Sequence, residues 1–273
     1  MLIRIGYDIE LQLQGPTAVV ALLQVHGSRA HDLLQGSDAP QLDPPLPREH
    51  YEDSFGNRCL RVQVPAGVSR LGLHARATLH DSGQPERLPL GLAACAVEQL
   101  PPHTLGFLLP SRYCEVDSEL MALAWARFGH LPRGGPQVQA VCDFVHAHLR
   151  FDYQRAHAQR SALGAWREGV GVCRDFTHLA LTLCRCLNIP ARYVTGYLGD
   201  IGVPAAPYPM DFSAWFEVWL DGAWHAMDAR HNRPRIGRIP IAHGRDAADV
   251  PITMVFGEHQ LRHFSVLTEL VAP

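Results

Sequence analysis

No stretch of this sequence reaches the ~20 consecutive apolar residues that a membrane span needs. Its opening, "MLIRIGYDIELQLQGP", alternates polar and apolar residues where a secretory leader would carry one continuous apolar core. Charge of one sign is also scarce: 24 Lys and Arg stand against 27 Asp and Glu, a formal net charge of −3. That balance gives no electrostatic case for nucleic acid or an anionic membrane as a partner. Seven cysteines, an odd count, are scattered from Cys59 to Cys186 without framework spacing. The expectation is therefore reduced thiols in a cytoplasmic protein. Metal-binding patterns are missing despite 16 histidines: there is no HExxH and no CxxC pair. His146 and His148 lie two apart on a helical segment, as do Cys184 and Cys186, so their side chains diverge. No metal and no cofactor is expected.

What is present is enough apolar material, 47% of 273 residues, for a sizeable core in one large or two ordinary domains. The chain changes character near residue 110. Before it, period-two stretches recur ("LIRIGYDIELQL", "TAVVALLQVH", "NRCLRVQV", "SRLGLHARATLH"), separated by turn signals such as "QGP" and "SFGN". Residues 1–105 are expected to form an independent β-sandwich, with "LDPPLPREHY" a loop inside it and "EQLPPHTLGFLLP" the linker. From there helical spacing takes over in "VDSELMALAWARFGH" and "PQVQAVCDFVHAHL", followed by strand-like "ARYVTGYLG", "SAWFEVWL", "AWHAMDAR" and "PITMVFG". Helices first and an antiparallel sheet second make residues 106–273 an α+β domain.

The informative stretch is "EGVGVCRDFTHLALTLCRCLNIPARYV", residues 168–194. Apolar positions at Phe176, Leu179, Ala180, Leu183 and Leu187 keep helical spacing from Cys173, and Pro190 closes the helix after Asn188. Cys173 thus opens a helix, where roughly half a positive charge favours a thiolate. Gly169 and Gly171 before it allow close backbone approach. Position alone leaves a nucleophile and a buried core thiol both open. Cys184 and Cys186, mid-helix, read as core. Arg174 and Asp175 read as a solvated pair at the helix start.

Downstream, "MDFSAWFEVWLDGAWHAMDARHN" reads as two aromatic-rich strands joined by an Asp-Gly turn. Together with "GVCRDFTHLALTLCRCLNIPARYVTGY", "DSFGNRCLRV" and "FLLPSRYCEVD", it makes nearly the whole chain resemble the bacterial transglutaminase-like superfamily, a papain-like cysteine-enzyme fold. The resemblance implies acyl transfer by a Cys-His-Asp triad. Cys173 matches the nucleophile and Asp228 the aspartate. The histidine does not carry over: where the family commonly reads "HAW", this chain reads "SAW", with Ser213 in the position. A hydroxyl that does not titrate near neutral pH can neither activate a thiol nor protonate a leaving amine. His231, in "RHNRP" where the second strand should be ending, is the first replacement to consider, and His243 in "IAHGRD" the second. His178 should point away from Cys173. Trp215, Trp219 and Trp224 could line a cleft or simply pack.

Two functions follow. One is a cysteine-dependent amide or peptide hydrolase or acyltransferase working through a thioester on Cys173, on a peptide, isopeptide or small amide. The other is a degenerate module that keeps the cleft and binds peptides or partners without turnover.

Overall fold

The computed structural model describes residues 1–271. Alternation dictates the first strand: β1 (Leu2–Leu13) buries Ile3, Ile5, Tyr7, Ile9, Leu11 and Leu13 and leaves the residues between them, Gly6 excepted, at or near the surface. Five more strands follow, β2 (Thr17–Ala21), β3 (Leu33–Asp43), β4 (Arg48–Glu52), β5 (Arg58–Val64) and β6 (Arg70–His80). β3 and β4 fall largely outside the alternating stretches, and "LDPPLPREHY" is less of a loop than expected, because its ends belong to these two strands. β4 is exposed along its whole length, and β3 is exposed or partly exposed up to Ser37 and alternates only from Asp38 on, where two of the three buried positions are Asp38 and Pro40, so neither carries an apolar in-out pattern in its sequence.

The middle of the chain is helical: α1 (Pro102–Leu105), α2 (Glu119–Phe128), α3 (Gly135–His148), α4 (Ala162–Glu168) and α5 (Cys173–Cys186). Two short strands, β7 (Arg150–Phe151) and β8 (Val170–Gly171), pair in parallel and bring the chain to the start of α5. Helix α5 is buried from Asp175 to Cys186, with α2, α3 and α4 on one side and a sheet on the other. At ~1.5–3 kcal/mol for each fully buried large apolar side chain, Phe176, Leu179, Leu181 and Leu183 make this helix the centre of the core in the helical region. Asn188, at φ 59°, stops it.

The sheet under α5 is antiparallel, in the order β11-β10-β9-β12, built from β9 (Ala191–Tyr197), β10 (Ser213–Leu220), β11 (Ala223–Met227) and β12 (Ile239–Gly244). The β10–β11 hairpin closes on Asp221 and Gly222, both at positive φ (47° and 78°), the twist an Asp-Gly turn supplies.

The last two strands, β13 (Thr253–Phe256) and β14 (His259–Leu270), return to the beginning of the chain. β14 pairs with β1 from Ile3↔Leu270 to Leu13↔His259, and β13 pairs with β2. The two four-stranded antiparallel sheets of the first region are therefore β14-β1-β6-β3 and β13-β2-β5-β4. "PITMVFG", expected inside the second domain, completes the first one instead. The reason is edge pairing: β1 and β2 each have one side unsatisfied until a distant strand arrives. The unit expected as residues 1–105 is thus not independent, and the helical region is an insertion between β6 and β13.

Candidate active site

The local chemistry of "EGVGVCRD" explains where Cys173 sits. Gly169, at φ 66°, takes the left-handed cap that ends α4. A side chain on Gly171 would meet the Asp175 Cβ at 2.5 Å, so only glycine lets Asp175 fold back over it. Asp175 then accepts from the Val172 N–H (2.9 Å) and pairs with Arg160 (3.1 Å). Asp175 is fully buried, which overturns its reading as half of a solvated pair. Arg174 stacks on Tyr113 (5.4 Å) and bonds the carbonyl of Ala158 (3.2 Å). The effect is a rigid first turn with Cys173 at its end, half-buried and lining a cavity of about 290 Å³.

Ser213, Asp211, Arg230, His231, Arg235, Tyr153 and Tyr208 line the same cavity. Ser213 is buried and its hydroxyl has no hydrogen-bond partner among the described residues. Asp228 lies one residue past the end of β11, at the start of a turn that the Asn232 N–H closes onto the Asp228 carbonyl (2.9 Å). Its Oδ1 accepts from the N–H groups of Arg230 (2.9 Å) and His231 (3.0 Å). Its Oδ2 meets His231 Nδ1 at 2.7 Å and the Arg238 guanidinium at 2.6 Å. In a continuous strand the odd separation of 228 and 231 would put the two side chains on opposite faces. The strand stops at Met227, and the turn folds His231 back onto the carboxylate.

His243 is elsewhere. It sits on β12 with its Nε2 3.5 Å from Glu217, its ring edge-on to His26 (4.4 Å) and its backbone held by Asn57. It faces the first region of the chain, not the cavity, so the second-ranked replacement base is excluded by placement. His178 also behaves as core: its ring stacks on Tyr113 (5.2 Å) and its Nε2 accepts from the Ala247 N–H (3.1 Å). Trp219 and Trp224 pack on each other (5.4 Å), and Trp215 lies under the Arg238 guanidinium (5.0 Å). None of the three lines the Cys173 cavity. Among the described residues, no cluster of three or more His, Cys, Asp or Glu side chains is arranged to hold a metal ion.

The profile of the transglutaminase-like superfamily core matches residues 129–229, which hold the nucleophile position, the hairpin and the aspartate. A candidate cysteine protease from Cytophaga hutchinsonii, known from a crystal structure, is 30% identical and aligns over 98% of this chain and 90% of its own, with a TM-score of 0.83. The chain belongs to the transglutaminase-like superfamily. An uncharacterized protein of Mycobacterium leprae is 28% identical over 167 residues, 60% of this chain and 59% of the relative. One from Mycobacterium tuberculosis is 33% identical over 90 residues, 30% of this chain and 29% of the relative. The matched region thus spans less than two thirds of these mycobacterial relatives. A general cysteine-dependent hydrolase or acyltransferase family is the class to which this transglutaminase-like chain is assigned.

The electrostatics of this transglutaminase-like site are set mainly by burial and by two arginines. Burial pushes the Cys173 thiol up, against the opposing pull of the Arg230 charge and the N–H groups of Ala214 and Arg174. The direction is opposite to the lowering expected from the helix terminus, because loss of hydration outweighs the dipole here. Burial alone would raise Asp228, but the Arg238 charge and the His231 bond hold it far below the usual carboxylate range. Burial lowers His231, offset in part by Asp228. Among the described residues no imidazole hydrogen-bonds the thiol, so no thiolate–imidazolium pair is preformed. Sequence reasoning missed Arg230, Arg238, Asp211, Tyr153 and Tyr208. Arg230 stands inside "DARHN", beside two residues that were singled out; Arg238 and the tyrosines come from segments with no distinguishing pattern.

Proposed function

We propose that the protein cleaves or exchanges an amide bond through a thioester on Cys173, with His231 serving as base where Ser213 replaces the family histidine. The observation that carries this reading is the 2.7 Å contact of His231 Nδ1 with Asp228, beside the cavity that Cys173 also lines. With Nδ1 committed to the carboxylate, Nε2 is the nitrogen left to take a proton. In the reaction, substrate binding closes the gap between ring and thiol, and Nε2 accepts the thiol proton as sulfur attacks the carbonyl carbon. The Ala214 N–H, which favours the thiolate at Cys173, is the donor to the developing oxyanion in this reading. The imidazolium then protonates the leaving amine, and water or a second amine resolves the thioester. Peptides, isopeptides and small amides are the substrate class.

The test is turnover of a panel of fluorogenic amides by the native protein, Cys173→Ala and His231→Ala. Loss of all turnover in the first variant and a ~10²–10⁴-fold loss in the second are expected. Cys173-dependent turnover that survives intact in His231→Ala removes the histidine from the mechanism. An unreactive native protein would leave the peptide-binding module, for which Ser213 and the high resting pKa of Cys173 speak.

A further inference from the structure

We infer that the cavity beside Cys173 is built for a substrate that carries a carboxylate next to the scissile amide, with Arg230 as the group that binds it. This rests on Cys173 being the reacting residue, as proposed above.

The charged groups lining the cavity are nearly all committed. Arg235 is bonded to the Gly199 carbonyl (2.9 Å) and lies 3.5 Å from Asp200. Asp211 accepts from the Tyr153 hydroxyl and from the Phe212 N–H (2.7 Å). His231 is held by Asp228. Arg230 is the exception: among the described residues no carboxylate lies within 4.0 Å of its guanidinium. Its charge is nonetheless felt at the Cys173 sulfur, where it is the chief influence favouring the thiolate.

This guanidinium is also fixed in place before any ligand arrives. One face lies on the Phe151 ring, 4.0 Å from its centroid, and one nitrogen donates to the Tyr208 hydroxyl at 2.7 Å. Phe151, Tyr153 and Tyr208 stand 5.7–6.1 Å apart, centroid to centroid, as an aromatic wall behind it. The backbone of Arg230 is tied at both sides, its N–H to Asp228 (2.9 Å) and its carbonyl oxygen 2.9 Å from His146 Nδ1. Only part of the guanidinium's donor capacity is used, and a planar fork with free N–H groups matches a carboxylate in two-point contact. Because the side chain is already ordered, little rotamer freedom is lost on binding. A cationic ligand finds no equivalent, since both acidic groups of the cavity are taken.

A second use of the same charge, tuning the thiol alone, makes a different prediction. Iodoacetate and iodoacetamide deliver nearly the same carbon to sulfur; in both, the C–S bond forms as iodide leaves, and only the first brings a carboxylate. At about pH 8.5, where His231 is neutral because its pKa lies below the ordinary ~6.5, the two alkylation rates at Cys173 are read by peptide mass spectrometry, with half-buried Cys95 as internal reference. The expected result is a ratio of iodoacetate to iodoacetamide higher at Cys173 than at Cys95, falling about tenfold in Arg230→Gln and largely kept in Arg230→Lys. Equal losses for both reagents in Arg230→Gln would mean that Arg230 only tunes the thiol, and would overturn the inference. A Cys173 inert to both reagents would overturn the nucleophile reading itself, a distinguishable failure. In the native protein, N-acetylglutamate amide or N-acetylglutamine should slow iodoacetamide where neutral N-acetylglutamine amide does not, the first pointing to a side-chain carboxylate and the second to a terminal one. Equal protection by all three, or by none, counts against Arg230 as the anion site.

Discussion

Arg238 and Asp228 form a buried ion pair at 2.6 Å, and the same guanidinium lies 2.5 Å from Glu86, which comes from the segment leading out of β6. Glu86, Arg238, Asp228 and His231 are thus one chain of charges running from the first region of the molecule to the cavity wall. Removing the arginine leaves a desolvated carboxylate with only the His231 side chain and two N–H groups, a change that typically costs ~3–5 kcal/mol when a buried partner is lost.

Arg238→Met should therefore lower the unfolding free energy by about that amount and raise the Asp228 pKa. Asp228 ionises more readily in the folded protein than in the unfolded chain. Its contribution to stability is full above the ordinary aspartate value of ~3.9 and is lost as pH falls toward the lower folded value. Urea titrations of the native protein at several acid pH values should show this loss, and Asp228→Asn should make it smaller. A native-like acid profile in Asp228→Asn would refute the assignment.

The base can be relocated. In a His231→Ala background, Ser213→His should recover at least about tenfold of the lost amide turnover, because the buried Ser213 hydroxyl has no partner to lose and the position borders the same cavity as the thiol. No recovery in a folded double variant would mean that position 213 no longer faces the reacting sulfur.

Cys173 should titrate as a high-pKa thiol in the absence of substrate. Its alkylation rate by iodoacetamide should still be climbing above pH ~8.5, in keeping with the upward shift that burial imposes. A rate already flat near pH ~6.5 would reveal a preformed ion pair with histidine. Cys114, Cys142, Cys184 and Cys186, buried and shifted upward by the same desolvation, should stay unmodified.

His26 offers a pH test away from the cavity. Burial, then the neighbouring His243 and Arg192 charges, push it down to about 4, with Glu217 and Asp53 pulling the other way. Folded His26 stays neutral where the unfolded chain takes up a proton, so stability is highest above ~6.5 and declines as pH drops from there toward about 4. His178 and His231 shift in the same direction and steepen the decline. His26→Gln should flatten part of that slope in thermal unfolding; an unchanged slope would show that the ring is not the titrating group.

The start of α5 was legible because its signals are local: a glycine pair, a helical apolar stripe and a proline stop lie within one short run of sequence. The β10–β11 hairpin was legible for the same reason, through the Asp-Gly turn. Even the His231 alternative could be reached, since the strand's end near "RHN" cancels the parity rule. What escaped depends on long-range placement. Nothing near Arg238 in the sequence says that Asp228 will lie against it, and nothing near His243 says that β12 turns it toward Asn57. The direction of the Cys173 shift escaped too, because the helix terminus is a sequence feature and desolvation is a tertiary one. β13 read correctly as a strand-like run and β14 was not anticipated, and the partners of both lie at the other end of the chain.

That last pairing makes the molecule a clasp. Arg4 bonds Glu269 across 265 residues of sequence, and everything that shapes the cavity is threaded between the two halves of the fastening. Closing so long a loop is slow more than it is costly, since the entropy grows only with the logarithm of length. A growing chain therefore carries β1 and β2 with an open edge until the final strands emerge, and the charge chain from Glu86 to His231 is assembled on a foundation that is itself finished last.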